Sequence, residues 1–174
     1  RQVWNEALGD IQVEGGAESD KQILYTSLYR VFERPVCISE DGHYYSAFDG
    51  KIHEDNGEPF YTDDWIWDTY RAAHPLYTLL VPEKVNGFVN SMLSHCDIQG
   101  YLPIWALWGK ENHCMIGNHA IPVIVEAYLK GYKGFDPERA YEAIRKSSLE
   151  SHPKSDWETY NQYGYYLSLI HISE

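Results

Sequence analysis

Residues Tyr61–Pro75 read Tyr-Thr-Asp-Asp-Trp-Ile-Trp-Asp-Thr-Tyr-Arg-Ala-Ala-His-Pro. In about four helical turns the stretch gathers three aspartates, two tryptophans, an arginine and a histidine. A surface helix has little use for two tryptophans, and a core helix has little use for three carboxylates. Carboxylates accept hydrogen bonds from hydroxyl groups and indole faces stack on sugar rings, so the mixture suits a carbohydrate pocket. Thr62 is the expected N-cap of a helix. Asp63 and Asp64 then fall in its first turn, where the dipole favours negative charge. His74-Pro75 is expected to stop or kink that helix.

The chain around this stretch reads as mainly helical. Arg1–Leu8 is a helix end closed by Gly9, and Ile11–Val13 is short and extended. Glu18 or Ser19 opens a helix whose stripe is Ile23, Leu24, Leu28, Val31 and Phe32, and Pro35 ends it. Tyr44–Ile52 alternates loosely and carries Asp49-Gly50, a hairpin signal. Glu54–Pro59 is a polar loop. Pro82 opens a helix with Val85, Phe88, Val89, Met92 and Leu93 on one face, closed by Gly100. Tyr101–Glu111 reads as an aromatic loop. A helix spans about Asn118 to Lys130, with Gly131 as its C′ residue. Asp136-Pro137 is an N-cap followed by proline at the first helical position, opening a helix through about Lys146. Five or six helices with short connections and one small β-hairpin make a bundle or a partial α/α toroid.

Composition narrows the partners. The chain has 174 residues and a net charge of −12, with 26 acidic against 14 basic side chains. Such a chain repels nucleic acid and anionic membrane, and tolerates neutral substrates and cations such as calcium. Aromatics reach 15%, with 15 tyrosines and six tryptophans, enough to supply both a core and a ring-binding cleft. No apolar run approaches the roughly 20 residues that span a bilayer. Cys37, Cys96 and Cys114 fit no zinc spacing and are expected to be three buried free thiols. The start at Arg1 is what is expected of a chain cut from something longer. Leu167–Glu174 ends abruptly and is expected to be foreign sequence, such as adaptor read-through, which leaves residues 1–166 for fold reasoning.

Tyr61–Arg71 followed by His74-Pro75 resembles the opening of the catalytic domain in glycoside hydrolase family 92. Tyr44–His53 is similar to the preceding hairpin of that family. Gly100–Trp105, Cys114–Ala120 and Glu126–Gly131 are similar to its succeeding helices. The resemblance covers roughly residues 1–166. It implies the first part of an α/α toroid in a calcium-dependent, exo-acting α-mannosidase that inverts the anomeric centre. It also implies a β-sandwich upstream and further toroid helices downstream in the same chain, action on external glycans, and an extracellular or periplasmic site. The family's catalytic glutamate and aspartate, and most of its calcium ligands, lie in later motifs that do not occur here. By resemblance, then, residues 1–166 carry part of a wall that binds mannose-containing glycan.

Four residues are the substrate-binding candidates: Asp63, Asp64, Trp65 and His119. Consecutive helical residues point about 100° apart, so one aspartate is expected to meet sugar and the other to cap or brace. The competing reading is N-terminal capping by both. One of Trp65 and Trp67 is expected in the core and the other in the cleft. Arg71 is expected to pair with Asp68 or Asp64, and His74 to make a helix-end hydrogen bond. His119 either donates to a sugar hydroxyl as neutral imidazole or caps its helix. Trp105 and Trp108 serve either binding or packing. Inverting glycosidases hold two carboxyls roughly 6.5–9.5 Å apart. Asp64 and Asp68 project from one surface and so make a poor pair of this kind. His113, Cys114 and His119 match no zinc pattern, so no metal ligand is assigned.

Three rival readings remain. A polysaccharide lyase acting on uronic acids needs a positive cleft, which Asp63–Asp68 opposes. Another α/α-toroid glycosidase is the second. A helical sugar-binding or structural module would keep the tryptophans without a downstream carboxylate pair. A partial ring also leaves apolar helix faces without partners, so the isolated chain is expected to be aggregation-prone.

Overall fold

Four helices meet where the apolar stripes are strongest. A computed structural model describes residues 1–153, 155 and 157–165. The α5 helix, Pro82–Gln99, is the axis. It begins on proline, whose missing N–H costs nothing at a helix start, and it ends on Gly100 in the left-handed conformation at φ +96°. Val85, Val89, Met92, Leu93 and Cys96 line its inner face. They pack on Ala120, Val123, Ile124 and Ala127 of α6 (Ala120–Leu129) and on Ala140 and Ala143 of α7 (Pro137–Leu149). The Asp136 carboxylate caps α7, accepting from the Glu138 N–H at 2.9 Å and the Arg139 N–H at 3.4 Å. On the other side α4 (Ala73–Leu80) brings Tyr77 against Val81 and Phe88 in a second cluster that includes Val31 and Phe32. Those two belong to the end of α2 (Glu18–Val31) and its C-cap. The first helix, α1 (Gln2–Gly9), buries no residue.

The described residues hold eight helices, counting the one-turn α3 (Ile66–Thr69) and α8 (Trp157–Tyr163). The chain is mainly α, built of helical hairpins as in an α/α toroid. The strand content departs from the expected single hairpin. There are three antiparallel pairs: β2 (His43–Ser46) with β3 (Lys51–Glu54), β1 (Val36–Cys37) with β4 (Tyr61–Thr62), and β5 (Ala106–Leu107) with β6 (Lys110–Glu111). The β2–β3 hairpin stands where Asp49-Gly50 put it, with Gly50 in the left-handed region at φ +71°. The β5–β6 hairpin lies inside what reads as an aromatic loop.

The thiols also depart from expectation. Cys96 is buried, whereas Cys37 and Cys114 are exposed; all three are free. Cys37 sits on a two-residue edge strand and Cys114 in a loop, where neither meets the core. The tail from 167 onward lies outside the described residues. An open groove of about 450 Å³ runs between α6 and α7, lined by Val125, Tyr128 and Tyr141 among others, so apolar surface does remain on this face. Among the described residues no helix is long and apolar enough to cross a membrane.

Candidate functional site

Two irregular segments run side by side across the ends of these helices, and every candidate side chain lies on their seam. Each segment is anchored at its start by a buried serine. The Tyr61 N–H donates to Ser91 Oγ on α5 at 2.9 Å, and the Leu102 N–H donates to Ser147 Oγ on α7 at 2.8 Å. Each serine hydroxyl in turn donates to a carbonyl one turn back on its own helix, Gly87 and Ala143, at 2.7 Å. Helix faces made of small polar residues therefore fix where the loops leave the bundle.

Thr62, Asp63 and Asp64 do not open a helix. Thr62 is paired with Val36 in β4, and its Oγ1 accepts the Gly109 N–H at 3.1 Å. Asp63 is left-handed at φ 53°, a conformation that cannot lead directly into a helix. Its carboxylate accepts the Trp108 N–H. The helix α3 starts only at Ile66, with Trp65 as a cap residue that makes no side-chain cap bond. His74 and Pro75 fall in the first turn of α4, where proline is tolerated, so they begin a helix and do not end one.

Asp64 is the best-oriented carboxylate of the seam. One oxygen accepts the Thr69 hydroxyl at 2.7 Å and the other meets His74 Nε2 at 2.6 Å. The aspartate is 12% exposed and the histidine 4%. His74 is thus a buried partner of Asp64 and not a helix-end side chain. Its ring stands edge-on to Tyr77 and Phe88. A carboxylate offers about four lone-pair sites, so Asp64, held by Thr69 and His74, has acceptor capacity beyond these two contacts. Burial and the Asp64 charge push the Tyr77 hydroxyl pKa well up. That hydroxyl stays protonated and donates to the carbonyls of Val31 and Arg34, at 2.7 and 2.6 Å.

The tryptophans are spread along the rim. Trp65 and Trp105 lie parallel, centroids 6.5 Å apart and planes within 3°. The Arg34 guanidinium stands 4.8 Å from the Trp65 ring centroid. Trp67 is half-buried and Trp65 exposed, so neither is the core tryptophan the sequence suggests. Arg71 covers the ring of Trp67 at 4.3 Å and donates to the Trp67 carbonyl at 3.2 Å. It forms no ion pair with Asp64 or Asp68 among the described contacts, because α3 is too short to bring it back over either. Trp108 is 79% exposed at the tip of the β5–β6 hairpin.

His119 lies flat on Tyr70, centroids 4.2 Å apart and planes within 9°. Burial, and then the charge of Arg71, lower its pKa; a hydrogen bond to the Ile116 backbone opposes them. The imidazole is therefore neutral near pH 7, with its one N–H given to the Ile116 backbone and its other ring nitrogen left as an acceptor. His119 is the cap residue of α6 but makes no side-chain cap bond, which removes its capping alternative. Gly117 makes room for the ring: a Cβ there would stand 2.6 Å from His119 Nε2. The seam thus joins Thr62 to Gly109, Asp63 to Trp108, Trp65 to Trp105 and Tyr70 to His119. Asp63, Asp64, Trp65 and His119 all sit along it.

Glu111 is the residue that sequence reasoning passes over. It is 6% exposed. Its carboxylate accepts the N–H groups of Ile104 at 2.7 Å, Trp105 at 3.0 Å, Asn112 at 2.9 Å and His113 at 2.8 Å. One side chain thereby closes the 104–113 loop and sets the Trp105 backbone. The only signal in the sequence is a glutamate just after an apolar and aromatic run, beside Lys110, Asn112 and His113. Among the described residues no three His, Cys, Asp or Glu side chains converge to hold a metal ion.

Helical hairpins bearing a seam of carboxylates, imidazole and indoles make up a segment of an α/α toroid. The family model described as "Glycosyl hydrolase family 92 catalytic domain" matches residues 1–174. The chain belongs to glycoside hydrolase family 92. It is similar to the family's α-mannosidase BT3965 of Bacteroides thetaiotaomicron, with 36% identity and a TM-score of 0.84 over 91% of this chain and 22% of that one. The same enzyme in complex with mannoimidazole matches at 35% identity and a TM-score of 0.83, over 91% of this chain and 21% of that one. The inverting mannosidase BT2199 of Bacteroides thetaiotaomicron VPI-5482 matches at 35% identity and a TM-score of 0.86, over 95% of this chain and 23% of that one. The chain spans about a fifth of the length of these structures. No curated protein matches it.

Proposed function

We propose that the complete protein carrying this chain is an exo-acting α-mannosidase. It removes terminal α-linked mannose from glycans and inverts the anomeric centre. The observation that carries the reading is the 36% identity to an α-mannosidase over 91% of the chain. The seam supports it chemically. Asp64, held by Thr69 and His74, accepts sugar hydroxyls; Asp63 does the same with the oxygen that is not engaged by Trp108. His119, neutral and stacked on Tyr70, accepts from a sugar hydroxyl at its free ring nitrogen, and Trp65 offers an aromatic face.

The general acid and the general base belong to parts of the protein outside this chain. Inversion by a water requires two carboxyls on opposite sides of the sugar, roughly 6.5–9.5 Å apart. Calcium dependence is part of the proposal for the complete protein, with most ligands outside this chain. So are a β-sandwich before this segment, further toroid helices after it, and action outside the cytoplasm.

Proton NMR of α-mannobiose hydrolysis by the complete protein tests the reading. β-Mannose is the first product expected, and chelator should abolish turnover. α-Mannose as first product contradicts inversion, and unchanged activity after Asp64→Ala removes the role given to that residue. Mannose binding with no turnover supports the non-catalytic module instead.

A further inference from the structure

Between the bundle and the seam lies a cavity of about 20 Å³. Three polar residues line it, Thr62, Asp64 and His95, together with apolar ones such as Ile66, Phe88 and Met92. A water needs at least ~10–15 Å³ of such space, so the cavity admits one water and no larger ligand. His95 is 2% exposed, and its Nδ1 has no hydrogen-bond partner among the described residues. Buried polar atoms are bonded as a rule, often through ordered water. Burial keeps the His95 ring neutral near pH 7, and its one N–H goes to the Tyr61 backbone. Nδ1 therefore carries a lone pair and can only accept. The Asp64 carboxylate, with capacity beyond Thr69 and His74, is an acceptor as well. Two acceptors cannot bond one another; a molecule with two hydrogens to give joins them. Thr62 is 2% exposed. Its Oγ1 accepts the Gly109 N–H at 3.1 Å, and its own hydroxyl hydrogen has no acceptor among the described residues.

We propose that this cavity is the site of one structural water, which donates to His95 Nδ1 and to the Asp64 carboxylate and accepts from the Thr62 hydroxyl. The hydrogens balance, and three bonds are what a buried water typically makes. The water ties Asp64 to α5, in addition to the holds from Thr69 on α3 and His74 on α4. His95 is then a positioning residue that acts on Asp64 through the water. That last role rests on the reading of Asp64 as a sugar acceptor; the water site does not.

A crystal structure of the complete wild-type protein, at a resolution that orders waters, tests the site. One water is expected roughly 2.7–3.2 Å from both His95 Nδ1 and an Asp64 oxygen. A dry cavity, or a water that reaches only one of the two, overturns the proposal. Kinetics on methyl α-mannoside test the positioning role. His95→Leu removes the acceptor and should raise KM about fivefold with kcat little changed. His95→Asn, whose amide oxygen takes the place of Nδ1, should restore most of the loss. An equal rise in KM for both variants, or none for His95→Leu, overturns the positioning role. Inactivity of the wild-type protein on mannosides overturns the mannosidase reading, while the electron density still decides the water.

Discussion

The α5–α6–α7 bundle and the seam of segments 61–75 and 101–119 use the same side-chain chemistry for different ends. In the bundle, polar side chains finish their own helices and moor the loops that leave them. Asp136 caps the helix that it begins, and Ser91 and Ser147 bond one turn back while accepting the Tyr61 and Leu102 N–H groups. Apolar burial supplies the cohesion, as at Val89 and Leu93, both 0% exposed. In the seam, carboxylates and a hydroxyl supply the cohesion by taking backbone N–H groups from far along the chain. Asp63 reaches 45 residues and Thr62 reaches 47. Glu111 gathers four N–H groups of a single loop. Carboxylate and hydroxyl acceptors thus fix loops whose only deep anchors are a few apolar residues such as Ile66 and Leu102.

The largest expected loss falls on the seam. Glu111→Ala leaves four backbone donors without their acceptor, at a cost of about 3–5 kcal/mol. Hydrogen exchange should accelerate at Ile104, Trp105, Asn112 and His113, while the amides of α5 keep their protection. Equal loss of protection in α5 would erase the distinction between the two regions. Leu93→Ala is the counterpart in the bundle. It should cost about 2–5 kcal/mol, lower the thermal midpoint and leave KM for mannosides within about twofold.

Acid acts at the joint between the regions. His95 on α5 is buried against Phe48 and Phe60, and burial pushes its pKa down to about 4. Above pH ~6.5 the imidazole is neutral in both the folded and unfolded states and stability is unaffected. As pH falls from ~6.5 toward 4 the unfolded chain takes up a proton that the folded one refuses, so stability declines by up to about 3 kcal/mol. His95→Phe should remove that part of the acid sensitivity between pH 6.5 and 5. An identical pH dependence of unfolding in variant and wild type would contradict it. The smallest effect is at the α7 cap, where Asp136→Ala should cost about 1 kcal/mol in thermal unfolding and change no kinetic constant.

Legibility in the sequence divides along the same line. Both ends and the stripe of α5 and the start of α7 could be read, because Pro82, Gly100 and Asp136-Pro137 act on residues within one turn, whereas α7 runs past its expected end near Lys146 to Leu149. The α6 boundaries fall within two residues of those expected. The helix expected from Thr62 fails because a carboxylate that accepts an N–H looks the same in sequence whether that N–H is three residues away or 45. The β5–β6 hairpin is hidden for a related reason: Trp-Gly gives no turn signal, and what permits its geometry is Asp63 and Thr62. Side-chain chemistry and family resemblance point to Asp63, Asp64, Trp65 and His119, and all four lie on the two segments that meet along the seam. Glu111 and Arg34 escaped notice, because their roles depend on neighbours that only the fold supplies.

A crystal structure of the complete protein with mannoimidazole bound tests the central claim most directly. The account predicts ligand oxygens within hydrogen-bonding distance of Asp64 and of His119, with the Thr69–Asp64–His74 contacts intact. A ligand bound elsewhere, touching no side chain of the 61–75 and 101–119 seam, would contradict it.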